Sequence, residues 1–163
     1  MRAIGIKFKP YLIEYFEYIY EIFKINPFSE LLYSIETSAS IFGKMNEMIQ
    51  PLTEIYNFIS EATLTCLNEN KLADQNQFLE DFFGILFRYA KYIPSVILSS
   101  KTLQINLEVT EKAIGLEQPN VEKTLFLFLE YFIKLCSYNP QNDVEKVRFL
   151  RGLFDLSISL GSN

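Results

Sequence analysis

Apolar side chains recur along most of this chain at steps of three and four residues, the spacing that keeps them on one face of an α-helix. Leu12, Phe16, Ile19 and Phe23 form the first stripe and predict a helix over 10–25. Pro10 suits its first turn, where a missing N–H is not needed, and Asn26-Pro27 ends it, because a residue before proline disfavours α geometry. A second helix is expected over 29–42, with Ser29 as N-cap and Gly43 as the C′ residue. The third covers 45–67, with Leu52, Ile55, Ile59 and Ala62 on its stripe and Pro51 either beginning or kinking it. The fourth stripe is the clearest. Phe78, Phe82, Ile85, Tyr89 and Ile93 share one face, Asp74 is placed to cap the helix, and Pro94 stops it.

The segment 103–109 reads two ways. Leu103, Ile105, Leu107 and Val109 alternate with polar residues, as in a strand, whereas a helix aligns Leu103, Leu107 and Ile114. A lone strand among helices would leave its backbone groups unpaired, so a helix is expected. The sixth helix, over 119–137, carries Leu125, Phe128, Phe132 and Leu135, widened by Phe126, Leu129 and Ile133. A helix apolar on most sides is expected to be buried on most sides, between neighbouring hairpins. A seventh, over 142–158, would turn Val144, Val147, Leu150, Phe154 and Ile158 inward.

Paired in order, these helices make hairpins at 10–43, 45–93 and 95–137 and leave the last one single. The unit length is close to the ~40–47 residues of HEAT-type repeats. The expected fold is therefore all-α, an α-α superhelix (HEAT-type solenoid) of about seven helices forming one unit over 1–163. A closed helical bundle is the alternative. The single last helix, and a first hairpin without a polar cap, suggest a piece of a longer array.

Composition narrows the chemistry. At 163 residues and 49% hydrophobic, the chain can bury a sizeable core. Its 15 basic and 20 acidic side chains give a net charge of −5, a poor balance for binding phosphates, so no direct contact with nucleic acid is expected. An acidic surface attracts basic partners, or simply keeps the domain soluble. There is no histidine, which removes the usual general base and the Ser/His and Cys/His pairings. Cys66 and Cys136 stand far apart and form no zinc motif; they read as reduced core thiols of an intracellular protein. The six glycines are scattered and build no phosphate loop. Glu80-Asp81 are adjacent on a helix and point in different directions, as on a solvated face. Tyr15, Tyr18 and Tyr20 read as core and inter-helix packing rather than as a stacking platform. No catalytic residue, cofactor or metal ligand is expected, and the chain does not read as an enzyme. A membrane span needs about 20 apolar residues, and the greasiest run, 125–129, is cut short by Glu130, so no membrane insertion is expected. Lys146, Arg148 and Arg151 cluster near the C-terminus and could receive an acidic or phosphorylated segment, or form a solvated face.

The stretch Leu79-Glu80-Asp81-Phe82-Phe83-Gly84-Ile85-Leu86-Phe87-Arg88-Tyr89, followed by Pro94, Leu98 and Ser100, resembles the transportin-SR and importin-thirteen branch of the importin-β (karyopherin-β) superfamily. There an Asp, two large apolar residues, an Arg-aromatic pair and a Pro recur at these spacings. Leu31-Leu32-Tyr33 with Phe42-Gly43 looks like the preceding inner helix of the same region, and Phe128-Leu129 with Ile133 like a later segment. The resemblance covers nearly the whole chain. It implies a right-handed solenoid from the C-terminal half of a nuclear transport receptor, shuttling between cytoplasm and nucleus. Such a receptor binds protein cargo, which the resemblance implies to be basic or Arg-Ser-rich. It meets the Ran GTPase and nuclear pore proteins through the full-length protein. An arginine-rich cargo helix of that branch would end near Arg2. Arg2, Lys146, Arg148 and Arg151 are thus the candidate partner-binding residues. A helical-repeat scaffold without a transport role is the alternative.

Overall fold

A computed structural model of the chain describes residues 7–26, 28–69, 76–98, 100–114 and 118–138. Among the described residues the regular structure is helical throughout. A 3-10 turn, Lys9–Tyr11, leads into α1 (Leu12–Ile25), followed by α2 (Ser29–Phe42), α3 (Asn46–Asn68) and α4 (Asn76–Tyr92). A short α5 (Pro94–Ile97) precedes α6 (Ser100–Ile114) and α7 (Pro119–Tyr138). The ambiguous segment 103–109 is therefore helical. The expected helix over 142–158 and the Asp74 cap lie outside the described residues.

The helix ends follow from local chemistry, with some changes from expectation. Asn26 is extended at φ −152° and ψ 117°, which stops α1. Ser29 is the first helical residue of α2 rather than its cap; extended Phe28 holds the cap position, without a side-chain bond. Gly43 keeps a right-handed φ of −61°, so it is not the left-handed C′ residue expected. Its missing side chain serves close packing instead: a Cβ there would lie 2.7 Å from Ile93 Cγ1 and 2.5 Å from the Ala39 carbonyl oxygen. Pro51 lies inside α3 and removes one helical N–H. Ile93 leaves helical geometry at φ −139°, and Pro94 then opens α5, where a proline at the first turn costs nothing.

The helices pack in two rows. In one, α3 lies between α1 and α6; in the other, α4 lies between α2 and α7. Side-chain pairings fix the directions. Lys9 pairs with Glu47, 38 positions on, and Tyr20 stacks on Phe58 with the same offset, so α1 and α3 run parallel. Arg88 meets Glu36 and Ile93 approaches Gly43, which makes α2 and α4 parallel as well. Asn76 with Gln118, and Phe87 with Tyr131, do the same for α4 and α7. Tyr89, late in α4, donates its hydroxyl to the Leu52 carbonyl oxygen, early in α3, at 2.9 Å. Phe23, late in α1, meets Phe78, early in α4, with ring centroids 5.6 Å apart, so α4 runs antiparallel to α1 and α3.

The interior helix is α4. Phe78, Leu79, Phe82, Phe83, Ile85, Leu86, Tyr89 and Ala90 are all buried, because row neighbours flank it on both sides. Each fully buried large side chain there stabilises the fold by about 1.5–3 kcal/mol. The expectation that 119–137 would be buried on most sides is corrected. Val121, Leu125, Phe128, Leu129 and Phe132 of α7 are buried, but Phe126 is 58% and Ile133 39% exposed. Those two lie away from the flank that Tyr131 turns to Phe87 of α4.

The inward stripe of α6 also differs from expectation. It runs Leu103, Asn106, Val109, Thr110 and Ala113, while Leu107 and Ile114 are only half-buried. Two of its members are polar, and each donates one hydrogen bond. Asn106 Nδ2 donates to the Tyr56 hydroxyl at 2.6 Å, and Thr110 Oγ1 to the Asn106 carbonyl at 2.7 Å. Tyr56 in turn packs on Tyr89, ring centroids 4.6 Å apart, which joins α3, α4 and α6 in one seam.

Candidate partner-binding groove

The candidate residues Arg2, Lys146, Arg148 and Arg151 lie outside the described residues. So does the side chain of Cys136. Cys66 is half-buried on α3. Among the described residues, no three or more His, Cys, Asp or Glu side chains are grouped so as to hold a metal ion. No described helix is long and apolar enough to cross a membrane.

Glu80 and Asp81 are half-buried rather than fully solvated. Burial holds the Asp81 carboxyl above its ordinary range, partly offset by the hydrogen bond that Gln77 donates at 3.1 Å. Glu80, Glu36 and Glu30 add repulsion in the same upward direction. Glu36 is itself engaged by Arg88 Nε at 2.7 Å, an ion pair that ties α2 to α4. Burial also keeps the Tyr89 phenol well above its usual range, so it stays a hydrogen-bond donor. Glu36 and Arg88 brace the α2–α4 contact, Tyr89 braces the α3–α4 contact, and these groups place no nucleophile beside a base.

Among the described residues, two concavities lie between α1 and α3. On α1 the core stripe is Leu12, Phe16, Ile19 and Phe23, and the flank one position on carries Ile13, Glu17, Tyr20 and Lys24. On α3 the facing flank carries Pro51, Ile55, Phe58 and Ala62, with Glu54 and Glu61 beside it. The rings of Tyr20 and Phe58 meet at 3.9 Å between centroids, and Tyr20 lines the cavity on either side. The first cavity, about 500 Å³, is rimmed by Glu17, Glu21 and Glu54. The second, about 700 Å³, has Glu61 and Glu69 on its rim and Phe23 in its wall.

Charge in this groove is one-sided. Among the described residues that line it, five carboxylates stand against the ammonium of Lys24. Lys24 lies 3.9 Å from the centroid of the Tyr20 ring and 3.4 Å from Glu21. One cation therefore already rests on an aromatic face beside a carboxylate, the arrangement in which cation–π attraction and charge pairing reinforce each other. The groove offers apolar walls, π-faces and acceptors, which is binding chemistry.

Sequence reasoning assigned Tyr20 to inter-helix packing, and it does pack on Phe58. It missed the groove. A second stripe beside the core stripe, Ile13, Glu17, Tyr20 and Lys24, was the available signal. Tyr18, also assigned to packing, is instead 66% exposed. No family model, curated protein or solved structure matches the chain.

Proposed function

We propose that this chain is part of a nuclear transport receptor of the importin-β type, a HEAT-type superhelix that acts by binding protein cargo rather than by catalysis. The observation that carries the proposal is the two-row packing, in which helices within a row run parallel and α3 and α4 run antiparallel. Stacked helical hairpins expose long surfaces and grooves between neighbours, and repeat proteins use such surfaces to bind other proteins. The family-like stretch supports it too. Asp81, Arg88, Tyr89 and Pro94 fall on and just after α4, the interior helix, where Arg88 ties that helix to α2 and Tyr89 ties it to α3.

In this proposal the receptor shuttles between cytoplasm and nucleus and meets Ran and pore proteins through the full-length protein. The resemblance places the main Ran contacts in repeats before this region. The test is accordingly a pull-down with the full-length gene product, GTP-loaded Ran and a nuclear extract. Capture of Ran that depends on GTP, together with nuclear proteins released by it, is the expected outcome. Capture of neither removes the transport role and leaves the helical-repeat scaffold.

A further inference from the structure

We infer that the α1–α3 groove is a docking site for an extended, basic segment of a partner protein, with two cationic side chains entering the cavities on either side of the Tyr20–Phe58 stack. The inference rests on the protein-binding reading above and names the partner class for one site on the chain. Three observations carry it. The rims are acidic, with Glu17 and Glu54 at one cavity and Glu61 at the other. The divider is aromatic and partly exposed. Lys24 already shows how a cation sits there, over the Tyr20 face and against a carboxylate.

Geometry narrows the partner further. Glu54 and Glu61 are two turns apart on α3, about 10 Å at ~1.5 Å per residue. An extended chain in the polyproline II form rises ~3.1 Å per residue with three residues per turn, so its side chains at i and i+3 point the same way about 9 Å apart. A helix is about 10–12 Å across with its side chains, too thick to enter cavities of this size, so it would reach them only with its tips. The favoured ligand therefore places Arg or Lys at positions i and i+3, with an aliphatic or small residue crossing the ring pair. Arg fits better than Lys, because its flat guanidinium stacks on an aromatic face while bonding to a carboxylate.

Fluorescence anisotropy with the full 163-residue chain tests this. The probes are short labelled peptides carrying two arginines three apart, two adjacent arginines, or two glutamates at the spaced positions. The spaced-arginine peptide is expected to bind tightest and to weaken as salt rises, since exposed charge pairs are screened. Glu17→Gln, Glu54→Gln and Glu61→Gln combined should weaken it at least tenfold, and Tyr20→Leu should weaken it too. All three glutamates are exposed, so the combined variant keeps the wild-type circular dichroism and melting temperature. Glu30→Gln, on exposed α2 surface, removes the same kind of charge elsewhere and should leave binding unchanged. Equal binding by the combined variant and the wild type overturns the site, as does equal binding of the adjacent-arginine or the glutamate peptide. Peptide binding here, with no Ran capture by the full-length product, removes the transport role and leaves the groove standing. Ran capture without peptide binding does the reverse.

Discussion

Gly43 follows α2 at a point where only a hydrogen fits, since a Cβ would press on Ile93 Cγ1 and on the Ala39 carbonyl. Gly43→Ala should destabilise the fold by roughly 1–3 kcal/mol, the range for overpacking a tight contact. Ile93→Ala in the same chain removes the side-chain part of that clash. Urea midpoints of the two single variants and the double variant should therefore be non-additive, and strict additivity would show that the pair does not touch. Asp81 gives a second residue-scale expectation. Its folded carboxyl holds its proton more tightly than an unfolded one, chiefly because it is half-buried. Stability from this group is therefore fully present below the usual Asp value of 3.8 and is lost as pH rises through the raised folded value. Asp81→Asn removes that loss. The variant should be the more stable protein at pH 7, and denaturation midpoints should show its advantage shrinking as the solution is acidified. A constant advantage would mean that Asp81 does not titrate in the folded protein as described.

At the scale of elements, what the sequence could tell depended on which force places each residue. The α1 stripe of Leu12, Phe16, Ile19 and Phe23 and the α4 stripe from Phe78 to Ile93 are buried as the spacing predicts, because apolar burial dominates there. Proline positions marked the helix ends at Asn26 and Ile93 for an equally local reason. The failures needed knowledge of neighbours. Phe126 and Ile133 look like core residues, but burial depends on what lies beside α7, and that is not written in the helix itself. Asn106 and Thr110 look like surface residues, yet they occupy the inward face of α6 because Tyr56 and the helix backbone supply their partners. The groove was illegible for the same reason: Glu17 and Glu54 are far apart in the chain and line one cavity only because α1 and α3 are row neighbours. The seam between elements can be tested at Tyr89, whose hydroxyl reaches the Leu52 carbonyl inside the core. Tyr89→Phe keeps the ring against Tyr56 and deletes that bond. A loss of roughly 1 kcal/mol with unchanged helical circular dichroism is expected, the usual net value of one internal hydrogen bond. No loss at all would mean that the α3–α4 contact rests on ring packing alone.

At the scale of the molecule, the two rows have sides as well as interiors, and large apolar side chains lie exposed on them. On α1 the flank opposite the groove carries Tyr11, Tyr18 and Ile25, with Ile25 87% exposed. On α7 the outer flank carries Phe126 and Ile133. A contiguous exposed apolar surface favours association, because water is released when two such faces meet. The two flanks differ, so pairing one with the other is heterologous and does not close on itself, which favours open-ended growth over a fixed dimer. The net charge of −5 opposes this only over the short range left by salt screening. Sedimentation velocity should therefore show a weight-average coefficient that climbs with protein concentration, more steeply at high salt. Tyr18→Lys with Ile25→Lys puts two charges on the α1 flank, where both side chains already face solvent. That variant should stay monomeric at concentrations where the wild type associates, with its melting temperature preserved. A wild-type chain that sediments as one species at every concentration would show that these flanks do not attract one another.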